Sequence, residues 1–418
     1  MPAHSHPTHP ALLTHVDIAI VGGGPVGAAL ACGLEDLGLK VAVLEARSKL
    51  EAPDPRAIAL SEGSRLILQR LGAWDALAPR ATAIETIHVS HRGGFGRAEL
   101  KATAMGVPAL GYVAEYGDLY AALARRMAHS GATVLTGARV TRAGATGAYG
   151  MVGYEKDGAE HLLTANLVVL SEGGKALPPD LRQDKDYGQS ALVCTVRTRQ
   201  PHRRRAYERF TPEGPIALLP LGEPPSPASG GGAEGEGDGE GHTYALVWTT
   251  PANQVEARLA LGDAEFLAQL QIAFGDRQGA FLSAGPRAAF PLKLSLAKES
   301  ASPRLVRVGN AAHVLHPVAG QGFNLGLRDA WKLAEAIADH LNQSSPDTLG
   351  QAPLAGYARQ RQADILGGSL MTDILVAGFS NDLPGLRQAR GLALTALDLL
   401  PPLKTQFARK MMFGAQSW

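Results

Sequence analysis

The chain has 418 residues, 45% hydrophobic and 19% charged, the make-up of a globular protein of about two domains. With 40 Lys and Arg against 39 Asp and Glu, the net charge is +1, which lacks the basic excess of a nucleic-acid binder. Two cysteines, Cys32 and Cys194, exclude a disulfide framework or a cysteine-rich metal site and suit a reduced, cytoplasmic setting.

Residues 1–16 read as a disordered tail with His4, His6, His9 and His15. It has no Lys or Arg, so it lacks the charged start of a secretory signal. Ile18 to Leu34 is uncharged over 17 residues, but it holds five glycines and falls short of the ~20 apolar residues that span a bilayer. The pattern predicts a buried strand from Asp17 to Val21, a helix from about Gly27 to Leu37 and a second strand from Lys40 to Leu44, ending at Glu45. A helix carrying Leu66, Leu71 and Trp74 follows, with Ser61 as its N-cap. Next come a strand from Ile84 to Ser90, a helix from Leu119 to Met127, a strand opening at Gly131, and an apolar strand from Leu167 to Leu170 that runs into Ser171-Glu172-Gly173. From Ser190 the chain turns to β structure, with strands at Ala191 to Val196, Ile216 to Leu219 and Tyr244 to Trp248. Residues 224–241 form a low-complexity loop whose glycines alternate with Glu236, Asp238 and Glu240, charges that would repel a phosphate. Leu305 to Val308 reads as a buried strand, Leu325 to Leu341 as a helix, and the chain beyond Pro353 as mostly helical.

Two glycine loops carry the chemistry. The first, Gly22-Gly23-Gly24-Pro25-Val26-Gly27, is a G-x-G-x-x-G sequence that follows a strand and opens a helix, with Glu45 at the end of the next strand. Gly22 permits the turn, Gly24 lets backbone approach a pyrophosphate, and Gly27 lets helix and strand touch. The helix N-terminus offers amide donors, and Glu45 would accept from a ribose and disfavour a 2′-phosphate. These residues suit FAD or NAD(H). The second loop runs from Gly309-Asn310 through Pro317 to Gly320-Gln321-Gly322 and again opens a helix. It aims amides at negative charge, as an anionic reduced flavin requires and an NAD dehydrogenase does not, so the pair points to FAD.

The sequence resembles the flavin-dependent aromatic hydroxylases of the para-hydroxybenzoate hydroxylase fold, and among them the bacterial hydroxylases of ubiquinone biosynthesis. The resemblance spans nearly the whole chain. It rests on Gly22 to Glu45, Asp54-Pro55-Arg56-Ala57, Ile87-His88-Val89-Ser90, Tyr187-Gly188-Gln189, Glu208-Arg209-Phe210, Gly214-Pro215, Leu218-Leu219-Pro220-Leu221, and above all His316-Pro317 through Asp329. It implies an α/β fold: a Rossmann-like FAD-binding domain (17–84, 113–180 and 300–350), an inserted, mainly β substrate domain (85–112 and 181–299), and C-terminal helices (351–418). It also implies that Gly22, Gly24, Pro25 and Gly27 hold the pyrophosphate and Glu45 the ribose. Arg56 would lie beside the FAD, Gly309 and Asn310 at the ribityl–phosphate region, and Pro317, Gly320, Gln321 and Gly322 along the flavin ring.

The implied reaction is hydroxylation of a polyprenylated phenol with O2 and NAD(P)H, through a flavin C4a-hydroperoxide. NAD(P)H acts as a transient reductant with no Rossmann unit of its own. The cofactor carries this chemistry, so no catalytic side chain is named. The family's usual Asp is Asn310 here, and its Asp-Gly after the third strand is Glu172-Gly173. Those departures leave a second reading open, an FAD-binding scaffold subunit of a biosynthetic complex with little activity of its own. His313 and His316 have an i, i+3 spacing that could ligate a metal, but no further ligand lies near in sequence and the flavin loop explains them. No G-x-S-x-G elbow supports a hydrolase. Both cysteines read as packing residues. The C-terminal leucines (Leu392, Leu394, Leu397, Leu399, Leu400) and the basic Lys404, Arg409 and Lys410 suit either a helix packed on the FAD domain or a peripheral contact with the inner membrane and other ubiquinone-biosynthesis proteins.

Overall fold

The structure, a computed structural model, describes residues 14–51, 54–172, 179–222, 241–315, 320–350, 353–379 and 384–414. Most of the N-terminal tail and of the low-complexity loop lies outside them. The first strand, His15–Val21, begins earlier than the sequence pattern indicates: His15 pairs with Thr164 and its Nδ1 lies 2.9 Å from Thr164 Oγ1, so this histidine starts a central strand and is not part of the tail. Val41–Glu45 pairs with it on one side and Ala159–Leu170 on the other, with Thr133–Thr136 and Leu305–Arg307 beyond, all parallel.

The strand is apolar without alternation because both faces are covered. Ile18 and Ile20 pack against the helices Pro25–Gly33 and Gln321–Leu341. Ala19 and Val21 pack under the hairpin Arg139–Ala145 and Gly150–Lys156, which the sequence pattern did not reveal.

Three predicted elements are divided. The helix after the first loop stops at Gly33, and a short 3-10 turn, Glu35–Leu37, leads to Gly38 at φ +67°. Ser61 does cap the helix Glu62–Arg70, accepting from the Ser64 amide at 3.2 Å, but Gly72 breaks the chain at φ +69° and Trp74 belongs to a separate turn, Trp74–Leu77. The strand predicted from Ile84 to Ser90 is two strands, Thr82–Ile84 and Thr86–His91. At Glu85, whose amide donates to the Arg204 carbonyl, the chain leaves a three-stranded sheet and joins a nine-stranded one.

In the nine-stranded sheet, Arg205–Thr211 runs parallel to Thr86–His91 and antiparallel to Gly214–Leu221, with Thr243–Pro251 and Arg182–Thr198 following. One face packs Tyr207, Tyr244 and Trp248 against Phe266, Leu270 and Phe274 of a helix, Asp263–Phe274. The opposite face is turned toward the parallel-sheet region and forms one wall of a cavity.

A buried charge network fixes the second glycine loop to the helices behind it. Asp329 accepts from the Gly309 amide at 2.9 Å and lies 2.6 Å from both His313 Nε2 and Arg361 Nε. Arg361 also donates to Asp364 at 2.6 Å, and Arg328 reaches the same carboxylate at 3.1 Å. Burial pushes the Asp329 carboxyl upward, but His313, Arg361 and the Gly309 amide outweigh it and hold the pKa at about 2. A carboxylate lowered from the ordinary value of 3.8 stabilises the fold fully above that value and loses the contribution as the pH falls toward 2. Asp329→Asn removes the charge that Arg361 faces, so it is expected to cost about 3–5 kcal/mol in denaturant unfolding at pH 7. The difference from wild type should narrow below about pH 4. An unchanged denaturation midpoint at pH 7 would show that the network is not a major support.

Candidate active site

The first loop is shaped by contacts that exclude side chains and by one opening. Gly22 sits at φ +103°, and a Cβ there would come within 2.9 Å of the Glu172 amide nitrogen. A Cβ on Gly27 would lie 2.0 Å from the Gly22 carbonyl oxygen, which is the close helix–strand approach that requires glycine. A Cβ on Gly24 would meet nothing within 4 Å. Pro25 opens the helix without offering an amide, and no side chain caps that helix, so its N-terminal amides face this opening.

Glu45 lies beneath the loop. Its carboxylate accepts from the Gly23 amide and the Arg47 amide, each at 2.9 Å, and from the Arg47 guanidinium at 2.9 and 3.2 Å. Burial pushes its pKa up, but the bonds to Arg47 outweigh that and leave it below the ordinary value. Arg47 in turn lies over the Tyr120 ring at 4.8 Å. The sequence reading did not foresee Arg47, although a basic residue two places after the strand was visible. A ribose hydroxyl would share this carboxylate with Arg47 or displace one of its bonds. Glu172 stands at the same mouth, its carboxyl pushed up by burial and by Glu45.

The second loop comes from elsewhere in the chain to the same region. Gly309 sits at φ +58° with its Cβ position 3.1 Å from Val26, one residue from Gly27, and Asn310 beside it is exposed. Gly320, at φ +61°, begins the helix Gln321–Leu341, again with no side-chain cap. A Cβ on Gly322 would meet open space. Pro317 and His316 lie outside the described residues, and His313 is committed to Asp329.

Asn324 joins this loop to the strand Ala57–Ser61. Its Oδ1 accepts from the Ser61 amide at 2.8 Å and the Ser64 hydroxyl at 2.7 Å, and its Nδ2 donates to the carbonyls of Ala59 and Gly320. Arg56 precedes that strand, paired with Asp54 at 2.5 Å and lying over the Phe290 ring at 5.0 Å. Burial pushes the Cys32 and Cys194 thiols up to about 12, outweighing the lowering effect of Arg126 on the first and Arg287 on the second, so neither is an activated thiol.

Between the second loop and the nine-stranded sheet lies a cavity of about 380 Å³. One wall is Gly320, Gln321 and Gly322 with the strand Ala57–Ser61. The opposite wall is the sheet, where alternate residues point inward, among them Ile87, Val89, Ala217, Leu219 and Val247. Phe407, Met411 and Met412 of the C-terminal helix Pro401–Phe413 close a further side. Among the described residues of this apolar lining stands one carboxylate, Glu208, whose pKa burial raises to about 7. No catalytic side chain was expected from sequence, where Glu208 stood only within the Glu208-Arg209-Phe210 stretch that carries the resemblance.

Two glycine-lined openings with uncapped helix ends and an adjoining apolar cavity suit an extended dinucleotide with a flat ring at the cavity wall. The family defined as FAD binding domain matches residues 15–363. Ubiquinone hydroxylase UbiL of Rhodospirillum rubrum is 34% identical over 416 residues, covering 95% of this chain and 89% of the relative. The 3-demethoxyubiquinol 3-hydroxylase of Escherichia coli is 32% identical, covering 93% and 96%. Among solved structures, p-nitrophenol 4-monooxygenase from Pseudomonas putida superposes with a TM-score of 0.75 at 17% identity, covering 97% of this chain and all of that one, a likeness of fold. The parallel-sheet scaffold, the two glycine loops and these relationships identify the chain as a member of the FAD-dependent aromatic hydroxylase family, an FAD-binding monooxygenase.

Proposed function

We propose that this enzyme hydroxylates the aromatic ring of a polyprenylated phenol in ubiquinone biosynthesis, consuming NAD(P)H and O2. The observation that carries this reading is the apolar cavity bounded on one side by the second glycine loop. Its size falls within the 300–1,000 Å³ range usual for small-molecule sites, and its lining suits a ring with a hydrocarbon tail. The names of the relatives support the ubiquinone assignment. Bound FAD supplies the redox chemistry, taking electrons from NAD(P)H and passing one oxygen atom of O2 to the ring.

The chain's own residues bind, orient and exclude water. Gly22, Gly24, Pro25 and Gly27 would receive the pyrophosphate at the helix N-terminus, with Glu45 toward the ribose. Gly309, Asn310 and Arg56 would border the ribityl–phosphate region, and Pro317, Gly320, Gln321 and Gly322 the ring. The methionines, leucines and valines of the cavity keep water from the reacting atoms. The direct test supplies purified protein with NAD(P)H, isotopically labelled O2 and 2-farnesylphenol. The expected outcome is a product carrying one labelled oxygen. Bound FAD with no product and no substrate-dependent NAD(P)H oxidation would favour the scaffold reading.

A peripheral membrane contact is part of the proposal, because the substrate's tail belongs in a bilayer. No helix among the described residues is long and apolar enough to cross one. The C-terminal helix packs inward through Ala408 and Met412, and Lys404 is bound to Asp398 at 2.6 Å, so that lysine is not available to a surface as the sequence suggested. The corner beside it does expose Leu392 (62%), Leu399 (71%), Leu400 and Leu403, with Arg409 and Lys410 exposed further along. Arg97, Arg209 and Arg277 line a cleft that Leu399 shares. Apolar and cationic groups together suit an anionic interface.

Three variants follow from these assignments. Glu45→Arg should weaken FAD binding by about 2–4 kcal/mol, read as a lower ratio of flavin to protein absorbance after purification. Gly320→Val forces a β-branched residue to a positive φ beside Ala59, a strain of about 1–3 kcal/mol, and should abolish hydroxylation while the protein still folds. Leu399→Ser combined with Leu400→Ser and Arg409→Glu should retain FAD yet lose sedimentation with anionic vesicles. Retained vesicle binding would remove this corner as the contact.

A further inference from the structure

We propose that Glu208 is the base that takes the proton from the substrate's phenol, and so activates the ring for hydroxylation. The inference rests on the hydroxylase reading above and adds to it a catalytic residue that the sequence did not identify.

The placement comes from strand register. Glu208 lies opposite Ala217 on one neighbouring strand and Val89 on the other. Ala206 and Phe210, two residues either way along its own strand, share its face, and all of these residues line the cavity. The carboxylate therefore stands in an apolar wall across from the Gly320–Gly322 loop, where a substrate ring must lie to meet the flavin.

Among the described residues, no Lys, Arg or His lines that space. Tyr207 and Arg209 alternate to the other side of the sheet, where the Tyr207 hydroxyl meets Gln278 and Arg209 reaches Ser90. The charged residues of the strand Arg97–Lys101 also alternate away, because Ala98 and Leu100 carry the cavity-facing register. His91, further along the neighbouring strand, is bonded to the Phe95 carbonyl at 3.0 Å. From the C-terminal helix, Lys404 is held by Asp398, and Arg409 and Lys410 are exposed. From the helix Gln321–Leu341, Arg328 pairs with Asp364. Of the polar groups on the opposite wall, Ser61 and Asn324 are bonded to each other and to backbone, and the Gln321 amide donates to the Met411 carbonyl at 3.4 Å.

A lone carboxylate in such a wall is costly unless a ligand supplies a donor. A phenol hydroxyl is such a donor. The phenol O–H bond breaks, its proton forms an O–H bond with a Glu208 carboxylate oxygen, and the electron pair stays on the phenol oxygen. Delocalised to the ortho and para carbons, that pair lets the ring carbon accept the electrophilic oxygen atom that O2 and the reduced flavin provide. Aromaticity returns when the hydroxylated carbon gives up its hydrogen as a proton and Glu208 returns its own to the ring oxygen. The proton lost from carbon leaves in the water that carries the second oxygen atom. Burial, which raises the carboxyl to about 7, makes it a stronger base than an exposed glutamate while leaving it ionised near neutral pH.

The test uses FAD-loaded wild type, Glu208→Gln and Glu208→Asp, with 2-farnesylphenol, NADPH and O2. Hydroxylated product, FAD content and kcat/KM are followed between pH 6 and 9.5. Wild-type kcat/KM should fall below about pH 7 as Glu208 takes up a proton. Glu208→Gln should keep its FAD, lose about 100-fold in hydroxylation at pH 7, and recover progressively as the phenol ionises in solution. Glu208→Asp should restore part of the rate with a shifted acid limb. As a measurement on wild type alone, ring-fluorinated phenols that ionise more readily should flatten the acid limb.

An FAD-loaded Glu208→Gln enzyme with wild-type turnover, or with a loss that stays the same at every pH, overturns the assignment and leaves the hydroxylase intact. Should the variants not fold, an acid limb indifferent to fluorination overturns it equally. Wild type that binds FAD but hydroxylates none of these phenols overturns the hydroxylase reading itself.

Discussion

Everything at this site depends on the Asp329 carboxylate. It is fully buried, yet it receives the Gly309 amide, His313 and Arg361 together, so the start of the second glycine loop is held to the helix that the loop opens. Removing a charge from water is unfavourable, and only this set of donors offsets it. The gain is geometric: with Gly309 fixed from behind, the loop cannot collapse into the opening in front of it. Asn324 repeats the device on the other side, its Nδ2 donating to both the Gly320 and the Ala59 carbonyls and so tying them together. Two polar residues one turn and a half apart on the same helix thus hold both ends of the second glycine loop.

Much of this scaffold was legible because it is local. A strand, a glycine turn and a helix lie within about 30 residues, and glycine is demanded by backbone geometry that a sequence shows directly. Ser61 was readable as a cap for the same reason: its partner, the Ser64 amide, is three residues away. Strand length and sheet membership were less visible. Nothing in Ile84 to Ser90 announces that Glu85 leaves one sheet for another, since the cause is the Arg204 carbonyl, far away in sequence. The hairpin that covers Ala19 and Val21 was hidden because its strands alternate weakly, and the Asp329–Arg361 pair because its members sit on different helices.

Glu208 shows the same limit at the functional level. Its neighbours in sequence are Tyr207 and Arg209, and in the sequence that stretch carries only part of a resemblance, with no role for the carboxylate. Its neighbours in space are Ala217, Val89 and the cavity. A period of two sends the adjacent residues to the far side of the sheet, so the residues that look like its environment in one dimension are those it does not meet. Register, which is set by pairing with the next strand at Ala217 and with a strand over 100 residues earlier at Val89, turns an ordinary charge into an isolated one.

The two walls of the cavity consequently have different physical tasks. The loop wall is built from backbone: glycines, amides and a helix end, which stabilise negative charge without a titrating side chain. The sheet wall is built from side chains, almost all apolar, with one group able to accept a proton. An electron-rich ring held between them would have its oxygen toward a base and its reacting carbon toward the flavin side. Apolar packing on the remaining sides keeps water out, so each polar group acts in a medium where its charge is little screened. Because the C-terminal helix supplies Phe407, Met411 and Met412 to that seal, the same helix closes the cavity and borders the exposed leucine corner. A hydrophobic tail would lie along the apolar lining that this helix completes, while the ring end meets Glu208 at the inner wall.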